Sequence, residues 1–109
     1  MHYIVMDLEW NQPLSHRSAP YRRLGNQLMF EVIQIGAVKL DEAMRMRGSF
    51  NQFVAPANYI KLHPRISRIT GIRQEDLDGA PDFSQAFSRF VDWCGEDIAL
   101  STWGCDDIS

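Results

Sequence analysis

No run in this 109-residue sequence approaches the roughly 20 consecutive apolar residues of a membrane-spanning helix, so none is expected within it. Cysteine is scarce. Cys94 and Cys105 match neither the spacing of a zinc site nor a disulfide framework, and a reducing, cytoplasmic setting is expected. The N-terminus enters an apolar stretch without the basic, apolar and cleavage segments of a secretory signal, so none is expected. Internal repeats and low-complexity tracts are missing. A large charge of one sign is missing too: the net charge of −3 argues against a generic polyanion binder. What remains is 45% apolar content, ordinary for a globular chain and against wholesale disorder. At this length one domain is the limit, spanning residues 1–109.

Charge is unevenly placed. Residues 1–73 carry ten Lys or Arg against five Asp or Glu, whereas residues 74–109 carry one Arg and nine acids. The stretch from Lys61 to Arg73 holds Lys61, His63, Arg65, Arg68 and Arg73 with no acid among them. Such a run tracks phosphates in some proteins and is a solvated helix face in many more.

The stretch Tyr3-Ile4-Val5-Met6-Asp7-Leu8-Glu9-Trp10-Asn11 carries the most chemistry. It is apolar on both alternating sets, as in a strand inside a sheet covered on both faces. Side chains alternate along a strand, so Asp7 and Glu9 share a face one pleat apart. Two carboxylates that close, at the end of a buried strand, need a shared proton, cationic neighbours or a divalent cation. Mg²⁺ is bound by one or two carboxylates together with water and substrate phosphate. Asp-x-Glu here is a candidate metal platform, and a solvated acidic strand end is the plainer alternative.

Downstream, residues 12–27 are polar and turn-rich. Arg22 and Arg23 in this long loop are candidates for substrate phosphate contact. Phe30–Leu40 and Arg45–Val54 read as an antiparallel hairpin turning at Asp41-Glu42-Ala43, and Gly36 marks close backbone packing or a bulge. Pro64–Thr70 reads as a short helix stopped by Gly71, and Gln74–Asp78 as another helical turn. A firmer helix follows Asp82. Phe83, Ala86, Phe87, Phe90, Val91 and Cys94 fall on one apolar face, and Gly95 supplies the stop. Cys94 belongs to that face and reads as a core thiol. Asp97–Thr102 is a fourth strand, expected to lie parallel beside the first through a right-handed crossover. The acids after it, Asp106 and Asp107, stand where α/β sheets place their sites.

Taken in order, Asp7-x-Glu9, Glu31-Val-Ile-Gln-Ile-Gly-Ala-Val, Ile69-Thr-Gly-Ile72 with Asp76-Leu77 and Ala80-Pro81, and a Trp-Gly-x-x-Asp segment ending at Asp107 resemble the proofreading-type (DEDDh) 3′–5′ exonucleases. That superfamily includes the polymerase epsilon-subunit-like and RNase T-like enzymes. The resemblance covers essentially the whole chain. It implies an α/β, ribonuclease H-like mixed sheet, an antiparallel hairpin plus a parallel strand flanked by helices. It implies two divalent ions, Mg²⁺ or Mn²⁺, and a 3′-terminal or single-stranded nucleic acid as partner. It assigns Asp7 to bridge both ions, Glu9 to hold the one that activates water, and Asp107 to the second motif. Trp10, Asn11 and Trp103 fall where contacts to the terminal nucleotide are expected, and Arg22, Arg23 and Arg68 are the candidate phosphate contacts.

The family's third motif, a His followed by the fourth Asp, has no counterpart here. His2, His16 and His63 stand in other contexts. The chain is therefore expected to be the N-terminal portion of a longer exonuclease, weak or inactive by itself, with apolar sheet surface that promotes self-association or binds a missing half. Two other readings stay open. One is a nuclease-like module that binds nucleic acid or metal without turnover. The other is a different acidic metal enzyme such as a phosphatase, whose nucleophile motif Glu9-Trp10-Asn11 does not supply. DNA and RNA are not distinguished.

Overall fold

The computed structural model describes residues 1–14 and 30–102. Four strands and three helices follow in the order β1 (His2–Asn11), β2 (Glu31–Leu40), β3 (Met46–Phe53), α1 (Pro64–Thr70), α2 (Gln74–Asp78), α3 (Phe83–Cys94) and β4 (Ile98–Thr102). They build one sheet of order β3-β2-β1-β4. β1 and β3 both run antiparallel to β2, and β4 runs parallel to β1, with His2 opposite Ile98 and Met6 opposite Thr102. The mixed sheet and its parallel fourth strand are as expected.

The hairpin turn is organised by Asp41. Its carboxylate accepts from the backbone N–H groups of Ala43 and Arg45 and from the Arg45 guanidinium. Met44 takes a positive φ of 63° to complete the turn. α1 starts at Pro64, with His63 Nδ1 accepting from the Arg65 N–H at 3.0 Å. It ends at Gly71, whose φ of 79° is the left-handed stop that lacks a Cβ penalty. α3 starts where Asp82 accepts from the Gln85 N–H at 2.8 Å.

One core lies between α3 and the sheet: Ala86, Phe90 and Cys94 pack on Ile4, Ile35, Ala37 and Val54. A second sits where β1 finishes: Ile33, Leu62, Ile72 and Leu77, with Phe53 and Ile66 against them, seat α1 and α2 on that end of the sheet. Three expectations need correction. The apolar face of α3 is split, because Phe83, Phe87 and Val91 are 45–50% exposed. Positions 86, 90 and 94 point at the sheet, and the 83–87–91 row runs one ridge away, past the sheet's reach. Trp93 packs in their place, against Phe50 and Phe90, with the Lys39 ammonium 4.7 Å above its ring and bonded to its carbonyl. Next, the cover of β1 is uneven among the described residues: Ile4 is fully buried with Met6 and Leu8 packed on the α3 core, whereas Tyr3 and Val5 on the other face are partly buried and belong to neither core. Finally, Gly36 marks neither a bulge nor tight packing. The register shifts fall at Glu9/Trp10 and Lys39/Leu40, and a Cβ at Gly36 would meet nothing nearer than the Asp7 carbonyl at 3.8 Å.

Candidate active site

The pleat of β1 sets Asp7 and Glu9 on one face, and pairing with β2 supplies their surroundings. Asp7 lies opposite Gly36 and Glu9 opposite Gln34, and one strand further Gly36 lies opposite Asn51. All five residues, with Ser49, line one cleft of about 370 Å³. Asp7 is exposed and Glu9 half-buried. Gln34 Nε2 donates to the Asn51 side-chain oxygen Oδ1, which ties the two side-chain amides together in the lining of the cleft. The bare Gly36 between Asp7 and Asn51 leaves room beside the carboxylates.

The donor set fits a hard divalent cation in part. Two carboxylates on one pleated face, open to solvent and flanked by neutral amides, match what Mg²⁺ takes from a protein. Among the described residues no group of three or more His, Cys, Asp or Glu gathers to hold a metal. Asp107, the expected third ligand, lies outside the described residues, as do Trp103, Arg22 and Arg23. The strand that precedes Asp107 in sequence ends at Thr102, paired to Met6 next to Asp7.

Beyond Glu9 the register shift separates two functions of the strand end. Trp10 lines a different cleft, about 390 Å³ and mainly apolar, with Phe30, Val32, Val54, Pro56 and Phe83. It shares no lining residue with the carboxylate cleft. A base held by Trp10 and a phosphate held by Asp7 and Glu9 would thus lie in separate hollows. Asn11 corrects the expectation of a nucleic-acid contact, because it is fully buried. Its Nδ2 donates to the carbonyls of Tyr59 and Lys61 at 2.8 and 3.0 Å, and its Oδ1 accepts from the His63 N–H at 2.9 Å. A side chain committed to three internal hydrogen bonds is a positioning element. Arg68 is exposed on α1, as a phosphate contact requires.

Two further residues that the sequence did not single out complete the clamp on the loop before α1. The Glu31 carboxylate accepts from the N–H groups of Ala57, Asn58 and Tyr59. Gln74 Oε1 accepts from the Leu62 N–H, and its Nε2 donates to the Ile60 carbonyl. Their partners are backbone groups 12 to 28 positions away, which no local pattern signals. His63 is spent as the cap of α1. Cys94 is buried in the α3 core, and burial pushes its thiol above the usual range, with Lys39 acting weakly the other way.

Comparison with known proteins agrees with this architecture. The family described as RNase_T: Exonuclease matches residues 21–101. ERI1 exoribonuclease 3 of Homo sapiens, and that of Bos taurus, is 30% identical over 71 residues, which is 64% of this chain and 21% of that protein. The chain thus spans about a fifth of the length of these curated relatives. Among solved structures, the nuclease domain of 3′hExo, a DEDDh family member bound to rAMP, superposes with a TM-score of 0.78 at 23% identity. That match covers 99% of this chain and 54% of the other. Cell-death related nuclease 4 (CRN-4) gives 0.72 at 24% identity, over 93% of this chain and 34% of the other. These likenesses fix the fold as ribonuclease H-like. With three quarters of its length matched by one family, the chain belongs to the RNase_T exonucleases.

Proposed function

We propose that the 109 residues form the N-terminal part of a metal-dependent 3′–5′ exonuclease domain, which removes nucleotides from the 3′ end of a DNA or RNA strand. The observation that carries this reading is the shared cleft of Asp7 and Glu9 on the central strand of an exonuclease-family chain. The names of the similar proteins support it: one is an exoribonuclease and another is bound to rAMP.

In this reading Asp7 and Glu9 would hold Mg²⁺ or Mn²⁺, with Asp107, outside the described residues, as the expected third ligand. Bound cations of this kind lower the pKa of attacking water and neutralise charge on the phosphate and the leaving oxygen. The chain's own part is to fix the two carboxylates at one pleat spacing and to keep Gly36 bare beside them. Gln34 and Asn51 contribute neutral amides to the wall, which add no competing charge. Among the described residues, His63 is the cap of α1 and His2 lies in a separate hollow with Met1 and Asp41, so neither lines the cleft; His16 lies outside the described residues. A domain that lacks a general base loses about 10²–10⁴-fold in rate, so weak turnover by the 109-residue chain is the expectation that goes with this reading. His63's structural use is also the observation that favours the second reading, binding without turnover.

The test is Mn²⁺ binding followed by electron paramagnetic resonance, together with 3′ shortening of 5′-labelled DNA and RNA strands, on the chain and on Asp7→Ala and Glu9→Ala. Each variant is expected to weaken Mn²⁺ about tenfold or more, the scale seen when groups that merely support a ligand are removed. Any strand shortening should vanish with Asp7. Mn²⁺ affinity unchanged in both variants, or cleavage indifferent to Asp7, removes this reading. Mn²⁺ binding that needs both carboxylates, without cleavage even in a longer form of the protein, selects the binder.

A further inference from the structure

We infer that Lys61, Arg65 and Arg68 form a rigid phosphate-binding face for the single strand that runs upstream of the 3′ end held at Asp7 and Glu9. This rests on the reading of the carboxylate cleft and adds a path for the rest of the substrate.

Charge is the first element. From Lys61 to Arg73 the chain has no acid. Arg73 is neutralised, with its guanidinium 2.9 Å from the Glu75 carboxylate and 4.0 Å from Asp76. Lys61, Arg65 and Arg68 are exposed, and among the described residues none of the three has an ion-pair partner. Arg65 and Arg68 are three positions apart on α1, so they sit side by side on one helix face and repel. Acids are not in short supply nearby: Glu75, Asp76 and Asp78 all lie on α2. They turn instead to Arg73 and to the Gln74 side chain.

Rigidity is the second element. A loop that carried these cations loosely would disperse them in solution. Here the backbone from 57 to 63 is fastened by Glu31 from β2, Asn11 from β1 and Gln74 from α2. Leu62 and Ile66 anchor the same stretch in the second core. Asn11 stands two residues beyond Glu9 on one strand, so the cations hold a constant relation to the carboxylates. Side chains displayed from a backbone already ordered lose less freedom when they bind.

The ligand chemistry follows. A single phosphate does not need three cations spread over a loop and a helix, whereas a repeating polyanion does. α1, at seven residues, is too short for its end to act as an anion site, so the side chains carry the interaction. Exposed Ile60 and Ile69 in the same stretch leave apolar surface for bases or sugars of that strand.

The test measures fluorescence anisotropy without divalent cations on the 109-residue chain, the triple variant Lys61→Gln, Arg65→Gln, Arg68→Gln, and Arg73→Gln as control. Probes are single strands of about 12 nucleotides, a length within known single-strand site sizes, a trinucleotide, and a poly-glutamate peptide of the same charge. The triple variant is expected to bind the long strands about tenfold or more weakly. The slope of log K against log salt should flatten by about 2, at about 0.7 for each phosphate no longer neutralised. Trinucleotide affinity and the Arg73→Gln variant should not change. All three side chains are exposed, so the melting temperature should hold, which circular dichroism confirms. Unchanged long-strand affinity in the triple variant overturns the inference. An equal loss for poly-glutamate overturns it in favour of an acidic protein surface. The readout uses neither carboxylate, so the two readings separate. Strand binding lost in the triple variant, with Mn²⁺ indifferent to Asp7, leaves the basic face standing and removes the cleft. Asp7-dependent cleavage with strand binding intact in the triple variant does the reverse.

Discussion

At the scale of single residues, the largest structural consequence belongs to Asn11. Replacing it with Ala removes three hydrogen bonds, to the Tyr59 and Lys61 carbonyls and from the His63 N–H, the first of them buried. Each unmade buried bond is costly, and a loss of about 2–3 kcal/mol is expected in urea unfolding. Asn11→Asp should be no better, because a carboxylate cannot donate to the carbonyls of Tyr59 and Lys61. Gly36 makes the opposite case. Gly36→Ala is expected to be neutral or slightly stabilising, since the nearest contact is an ordinary 3.8 Å and glycine weakens a strand. Gly36→Leu should instead fill the carboxylate cleft and weaken Mn²⁺ binding while the fold persists, separable by melting and metal titration. Asp7 and Glu9 were legible from alternation alone. Asn11 was not: it follows the same strand, but its partners lie 48 to 52 residues on, where no spacing rule reaches.

Among elements, the hairpin turn and α3 respond to different conditions. Backbone N–H bonds, that of Arg45 foremost, hold the Asp41 carboxyl below its ordinary value, against a smaller opposing effect of burial. A depressed carboxyl stabilises the fold above the ordinary carboxylate range, and that contribution fades as pH falls through the lowered value. Asp41→Asn should therefore lower the melting temperature at neutral pH, and its difference from the parent should shrink as pH falls through the lowered value. In α3 the sign is reversed for Cys94. Its neutral thiol suits the core below the ordinary thiol range, and stability is lost as pH rises through the raised value. In a Cys105→Ser background, labelling of Cys94 by a disulfide reagent at pH 8 should proceed only as fast as the core opens. The helix itself, its Asp82 start and its Gly95 stop were readable from a 3.6-residue period and local capping chemistry. Which half of its apolar surface meets the sheet was not, since that depends on the ridge that fits over Ile4, Ile35 and Ala37.

For the molecule as a whole, apolar surface in solvent is the feature with consequences. The row Phe83, Phe87 and Val91 stands half-exposed on α3, with Phe83 and Phe87 stacked 5.7 Å apart. Leu100 on β4 is exposed as well. Surface of this kind favours association. Light scattering should show the mass of the 109-residue chain rising with concentration, and Phe87→Ser with Val91→Ser should suppress that rise while secondary structure is kept. A strictly monomeric parent across the range contradicts the expectation.

The sequence by itself determined the strands, the helices and their caps, the pairing of Asp7 with Glu9 on one face, and the family. These rest on periods of two and 3.6 residues and on motifs only a few positions long. Tertiary structure alone decided that Trp10 and the carboxylates occupy separate clefts, that Asn11 is a tie rather than a contact, and that the loop bearing Lys61 is clamped from three elements. Those outcomes come from backbone groups brought together by strand order and helix seating, and a backbone N–H or carbonyl carries no signature in the amino-acid code.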